Sequence, residues 1–69
     1  MRWDEYFRKR STILSVAYQS GVLEIRFRSG QLYRYFNVPE AAFQELLQAS
    51  SKGRYFHRHI RNVYPYAPA

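Results

Sequence analysis

Arg54, Arg58 and Arg61 recur at i, i+4 and i+7, so a helix through them would carry three guanidinium groups on one stripe. The planar guanidinium fork matches a phosphate and stacks on bases, whereas a lysine ammonium is a hydrated point charge. Lys52 lies just before the stripe, and no carboxylate follows Glu45. Such a row suits the tracking of nucleic-acid phosphates. It supplies affinity without sequence choice and weakens steeply with salt. A second set of cations, Arg26, Arg28 and Arg34, is interleaved with Leu32 and Phe36 and offset by Glu24. Arginines around an exposed aromatic ring would make a platform for a single strand. Nine of the eleven basic residues are Arg, against five acids, for a net charge of +6. Solubility alone would be served as well by Lys, so the bias points to a polyanionic partner.

Other chemistries find little support. His57 and His59 are two apart and would leave a helix on different sides, whereas zinc pairs on a helix stand three or four apart. No metal site or cofactor is expected, and His57 is expected on the helix surface with His59 partly buried. The chain has no Cys, which excludes disulfides and thiolate metal sites. Gly21, Gly30 and Gly53 are isolated and fit turns rather than a phosphate loop. Ser11, Ser15, Ser20 and Ser29 sit in no nucleophile motif, and the five acids are scattered. The expectation is a protein that is not an enzyme and takes no small-molecule substrate. No apolar run approaches the roughly 20 residues of a membrane span. The N-terminus is charged where a signal peptide would be apolar, so a soluble cytoplasmic protein without a membrane partner is expected.

The elements that must hold these residues follow from hydrophobic period. Residues 23–28 alternate apolar and charged, which marks a strand with Leu23, Ile25 and Phe27 on one face. Residues 13–18 and 31–36 read as its neighbours. A three-residue loop at 28–30, with Gly30 left-handed, places Phe27 opposite Gln31, Ile25 opposite Tyr33 and Leu23 opposite Tyr35. A two- or four-residue loop before it pairs Tyr18 with Leu23 and Val16 with Ile25, and Leu14 extends the same apolar face. Tyr33 and Tyr35 are open to two readings, base stacking or core; the alternation favours core and sends Arg34 outward with Arg26 and Arg28.

Pro39 suits a first helical position and Glu40 a first turn, so a helix is expected from Pro39 to about Ser50, burying Phe43, Leu46 and Leu47. Ser51 caps a second helix to about Asn62, with Tyr55 or Phe56, then Ile60 and Val63, as its apolar positions. Trp3, Tyr6 and Phe7 at i, i+3 and i+4 allow a short N-terminal helix, and Arg8-Lys9-Arg10 a basic junction. The predicted architecture is α+β: a three-stranded antiparallel meander followed by two helices on one sheet face. Residues 1–10 form an extension, 11–66 one domain and 67–69 a non-helical tail.

These motifs, taken in order, resemble the KTSC domain family, named after the C-terminal domain of some lysyl-tRNA synthetases. The resemblance covers roughly residues 11–66. It is carried by Ser11-Thr12-Ile13 with Val16 and Tyr18, by Tyr33-Arg34-Tyr35, and by Val38-Pro39 with Leu46-Leu47. Ser51-Lys52-Gly53-Arg54-Tyr55-Phe56, Ile60-Arg61 and Tyr64-Pro65 complete it. Two positions depart from the family pattern: Ala17 precedes Tyr18 where a Gly is common, and His57 follows Phe56 where an Asn is usual. The family occurs as a stand-alone bacterial domain or a tRNA-synthetase appendage and offers no catalytic residue to carry over. The resemblance implies an RNA-associated domain.

Two functions follow from these readings. The first is nucleic-acid binding, RNA ahead of DNA, through Arg26, Arg28, Arg34, Phe36, Lys52, Arg54, Arg58 and Arg61. The second is protein interaction or homodimerisation, since aromatics make up 19% of the chain. A dimer would use Trp3, Tyr6 and Phe7 or a sheet edge at the first or third strand of the meander.

Overall fold

Alternation in Leu23-Glu24-Ile25-Arg26-Phe27 sets the geometry of the whole chain, because it fixes which sheet face is apolar. The computed structural model describes residues 12–69 and the backbone of residues 2–4. Its elements are strands β1 (Arg2–Asp4), β2 (Ile13–Gln19), β3 (Val22–Phe27) and β4 (Leu32–Tyr35), helices α1 (Glu40–Gln48) and α2 (Lys52–His59), and strand β5 (Tyr66–Pro68). The five strands form one antiparallel sheet in the order β1-β2-β3-β4-β5.

Both hairpins have the expected register. Tyr18 pairs with Leu23 and Val16 with Ile25 across β2 and β3. Leu23 pairs with Tyr35 and Ile25 with Tyr33 across β3 and β4. Ser20 and Gly21 have φ of 51° and 83°, so the first connection is a tight two-residue turn with both residues left-handed. Gly30, at φ 97°, closes the second, where Phe27 N–H donates to Gln31 O at 2.8 Å.

Leu14 departs from expectation. A bulge between Ile13 and Ser15 inserts one residue into β2 and reverses the alternation at its start. Ile13 therefore joins Val16 in the core, while Leu14 is 38% exposed. The N-terminal helix is also corrected for residues 2–4, which pair with β2 as a strand, Trp3 opposite Ala17. The rest of that expectation, including Tyr6, Phe7 and Arg8-Lys9-Arg10, lies outside the described residues.

The tail is likewise corrected: residues 66–68 form the other edge of the sheet, and Ala69 N–H donates to Leu32 O at 2.8 Å. Residues 65 and 69 bond to β4, as Phe36 N–H to Pro65 O and Ala69 N–H to Leu32 O. Pro68 falls between these positions, so its missing N–H is on the outward edge, where Pro is tolerated. The meander thus has five strands rather than three around it. The two edges expected to serve a dimer are occupied by β1 and β5 of the same chain.

Both helices cover the face bearing Ile13, Val16, Leu23, Ile25 and Tyr35. Asn37, left-handed at φ 61°, turns the chain from β4 into α1. Val38 is fastened there: its N–H donates to Gly21 O at 2.9 Å and its carbonyl accepts from the Tyr18 hydroxyl at 2.6 Å. Pro39 is the N-cap of α1. Leu46 is fully buried, and Phe43 stacks on Tyr18 at 4.9 Å. Ser51 caps α2 by accepting from Arg54 N–H at 3.3 Å, and Gly53 lies inside that helix.

Helix α2 ends at His59, three residues before the expected Asn62. Ile60 and Arg61 both donate to Phe56 O, and Asn62 is left-handed at φ 65°, which stops the helix. Phe56 and Ile60 are buried, but Val63, expected to be apolar-facing, is 57% exposed because it lies past this stop. Tyr55 ties the helices together by donating to Glu45 Oε1 at 2.8 Å. Burial, then that hydrogen bond, pushes the Tyr55 hydroxyl pKa up to about 12.

The bulged register yields a direct test. Ile13→Ala, at a fully buried position, is expected to cost about 2–5 kcal/mol of unfolding free energy, and Leu14→Ala under about 1 kcal/mol, measured by urea denaturation. An unbulged strand would reverse that order.

Candidate nucleic-acid interface

The eight residues expected to bind nucleic acid fall into three groups. On α2, Arg54 and Arg58 are exposed. Lys52 is half-buried, and its ammonium donates to Ala49 O at 3.1 Å, closing the last turn of α1. Lys52 is thus engaged as a helix cap rather than extended toward a ligand. Arg61 does not complete the expected stripe, because the helix stops before it.

The sheet face opposite the helices is less open than expected. Ser15 and Ala17 are fully buried there, and Glu24 is 6% exposed. Leu32, Phe36 and Arg26 are half-buried, so Phe36 is no exposed stacking ring flanked by cations. Arg34 Nε donates to Glu24 Oε2, an ion pair whose Arg side chain is 53% exposed and whose Glu side chain is 7% exposed. Glu24 and Arg34 are cross-strand partners in β3 and β4, so the pair follows from the register itself. This arginine neutralises a buried carboxylate.

Arg28 belongs elsewhere than expected. It sits in the turn after β3, where its N–H donates to Thr12 O at 2.9 Å, and it borders a cleft on the helix side of the sheet. The cleft encloses about 560 Å³ between the second hairpin, the end of α2 and β5. Arg61 borders it too, so the early stop of α2 brings Arg61 and Arg28 to one opening. Tyr33, Tyr35, Tyr66, Phe27 and Phe56 supply aromatic wall and floor.

Rings pack closely around this cleft. Phe56 meets Phe27 at 5.6 Å and Tyr35 at 5.4 Å, both edge to face. Tyr33 stacks on Tyr66 at 5.6 Å with planes 16° apart. The two readings of the tyrosine pair therefore divide: Tyr35 is core at 3% exposure, whereas Tyr33 is half-buried at the cleft. Burial raises the Tyr35 hydroxyl above the ordinary tyrosine pKa, and the positive charge of Arg61 opposes that rise.

His57 is exposed beside Arg61, and Arg61 Nη1 lies 3.3 Å from His57 Nδ1. Arginine only donates, so Nδ1 accepts and this contact requires the imidazole proton on Nε2. His59, expected to be partly buried, is exposed and lies 4.6 Å from the Tyr55 ring. Among the described residues, no three His, Cys, Asp or Glu side chains gather to hold a metal, and no helix is long and apolar enough to cross a membrane.

Tyr66 and Gln31 were missed as cleft residues. Gln31 read as a turn residue. Tyr66 stood in a proline-flanked stretch without period, and only its nearness to the Tyr64-Pro65 motif marked it.

Comparison with known proteins places this arrangement. A model of the KTSC domain matches residues 9–64. A lysine–tRNA ligase of Nostoc sp. is 46% identical over 44 residues, which is 64% of this chain and 8% of the ligase. An uncharacterized protein of Stutzerimonas stutzeri is 44% identical over 50 residues, 70% of each chain. The crystal structure of a KTSC domain protein from Yersinia pestis superposes with a TM-score of 0.85 at 34% identity, covering 99% of both chains. The chain thus spans only a small part of the ligases' length and nearly all of the chain in the Yersinia pestis structure.

The Glu24–Arg34 pair gives the next test. Arg34→Ala is expected to cost about 1–3 kcal/mol, less than breaking a fully buried pair because the guanidinium is half in water. In a Glu24→Gln background the same change should cost measurably less, as a double-mutant cycle by urea denaturation would detect. Equal costs in both backgrounds would show that the pair does not support the fold.

Proposed function

The chain belongs to the KTSC domain family, and on that premise we propose that it is a non-enzymatic, cytoplasmic nucleic-acid-binding domain that prefers RNA. The observation that carries this reading is the charge of the C-terminal part. From residue 46 onward there is no acidic side chain, and Arg54, Arg58 and Arg61 are all exposed. Arg54 and Arg58 stand on α2, and Arg61 leads from its end to the cleft. A polyanion meeting this surface finds three guanidinium forks, and the Glu45 carboxylate that borders α2 is engaged by the Tyr55 hydroxyl.

The choice of RNA draws support from the relatives. A segment 39–46% identical to 44 residues of this chain occurs in proteins named lysine–tRNA ligase. The aromatic cleft adds a reason to favour a single strand, RNA or DNA, over a duplex, since unpaired bases present their faces to rings whereas duplex bases keep theirs hidden. The outer face has a smaller part in this reading: Arg34 is paired with Glu24, and Phe36 is half-buried.

Changing Arg54, Arg58 and Arg61 together to Ala should weaken RNA binding in fluorescence anisotropy titrations. If each arginine meets one phosphate, the slope of log K against log salt should flatten by about 2 for a single strand. Unchanged affinity and slope, in a variant whose unfolding transition remains cooperative, would reject this surface as the site.

A further inference from the structure

We infer that the cleft between α2, the second hairpin and β5 seats one unpaired nucleobase, stacked on the exposed Tyr66 ring that Tyr33 backs, with the adjoining phosphate held between Arg61 and Arg28. This inference deepens the RNA-binding reading and rests on it. It concerns which part of the polymer is recognised and where.

Four observations converge on this occupant. The first is size: about 560 Å³ lies within the roughly 300–1,000 Å³ typical of small-ligand clefts, enough for a nucleobase and its sugar. The second is the surface inside. Tyr66 is 54% exposed although one of its faces stacks on Tyr33, so the remaining surface of its ring is only partly covered by the protein's own atoms. A flat, accessible π surface accepts any base, and only a base outside a duplex has a face to offer.

The third observation is charge. Arg28 and Arg61 both border the cleft, and among the described residues none that lines it has an acidic side chain. The contact with His57 Nδ1 engages one Nη of Arg61, and a guanidinium has five N–H donors. The fourth is polar matching. Gln31 and Asn62 line the same space, and an amide both donates and accepts, as a base edge requires. Lining of this kind, aromatic with paired cations and amides, matches a nucleotide better than an aliphatic chain.

The test compares affinities of the full chain for three probes at about 150 mM salt, where long-range attraction is largely screened. The probes are hexa-adenylate RNA, a hexamer of the same backbone without bases, and a short RNA duplex. Hexa-adenylate should bind most tightly of the three. Tyr66→Ala, at an exposed position on the edge strand, should weaken hexa-adenylate binding by roughly 5- to 150-fold, the range for losing one base stack, and leave the abasic hexamer unaffected. Arg61→Gln should weaken both hexamers and supplies a second variant should Tyr66→Ala unfold. The inference fails, while the wider RNA-binding reading stands, if the abasic hexamer binds as well as hexa-adenylate or if Tyr66→Ala changes nothing. Displacement of hexa-adenylate by hexaglutamate as effective as by unlabelled RNA would also overturn it, in favour of an acidic peptide. Binding to none of the nucleic acids would end both readings.

Discussion

The ring of Phe56 holds the two layers of this protein together. It projects from α2 into the sheet and meets Phe27 of β3 and Tyr35 of β4 edge to face. A chain of 69 residues has little interior, so a few large contacts must supply most of its hydrophobic stabilisation. Phe56 also sets the position of everything after it. Its carbonyl accepts from both Ile60 and Arg61, which ends the helix beside the sheet and directs the following residues over β4 and β5. The aromatic cleft lies where this exit leaves the sheet partly uncovered.

That constraint divides the cations by role. Lys52 and Arg34 serve the fold: one caps α1 and the other neutralises Glu24. Arg54 and Arg58 stay on the outside of α2. Arg28 and Arg61, separated by nearly half of the chain in sequence, come to one opening because the second hairpin and the end of α2 meet there. A surface built this way has two properties. The helix cations offer charge without geometry, and the cleft offers geometry with charge. General affinity for a polyanion would come from the first and a preference for unpaired bases from the second.

The sequence was most legible where physical constraints were local. Period-two alternation in β3 and the glycines of two short turns were enough to obtain both hairpin registers, since a one-residue slip would have turned Ile25 and Tyr33 to opposite faces. The Ser51 cap marked the start of α2. Legibility failed where tertiary contacts decided. The bulge that exchanges Leu14 for Ile13 has no composition signal, and strands of three residues are too short to show a period. The end of α2 was misread because Val63 continued an apolar pattern that the backbone did not follow. The burial of Ser15, Ala17 and Glu24 could not be read from alternation, which says which residues share a face but not whether that face is covered. For the candidate site, the individual arginines were legible and their grouping was not.

On the proposed reading, RNA meets this domain at one place, the end of α2 and its cleft, rather than across a diffusely basic surface. Amide and aromatic chemical-shift mapping of the full chain with a single-stranded RNA, at near-physiological salt, examines that claim most directly. Perturbations are expected to cluster at Arg28, Tyr33, Arg54, Arg58, Arg61 and Tyr66, with the β2–β3 turn at Ser20 and Gly21 silent. Small shifts spread evenly over all the basic residues, or a cluster on the outer face around Arg26 and Phe36, would contradict it.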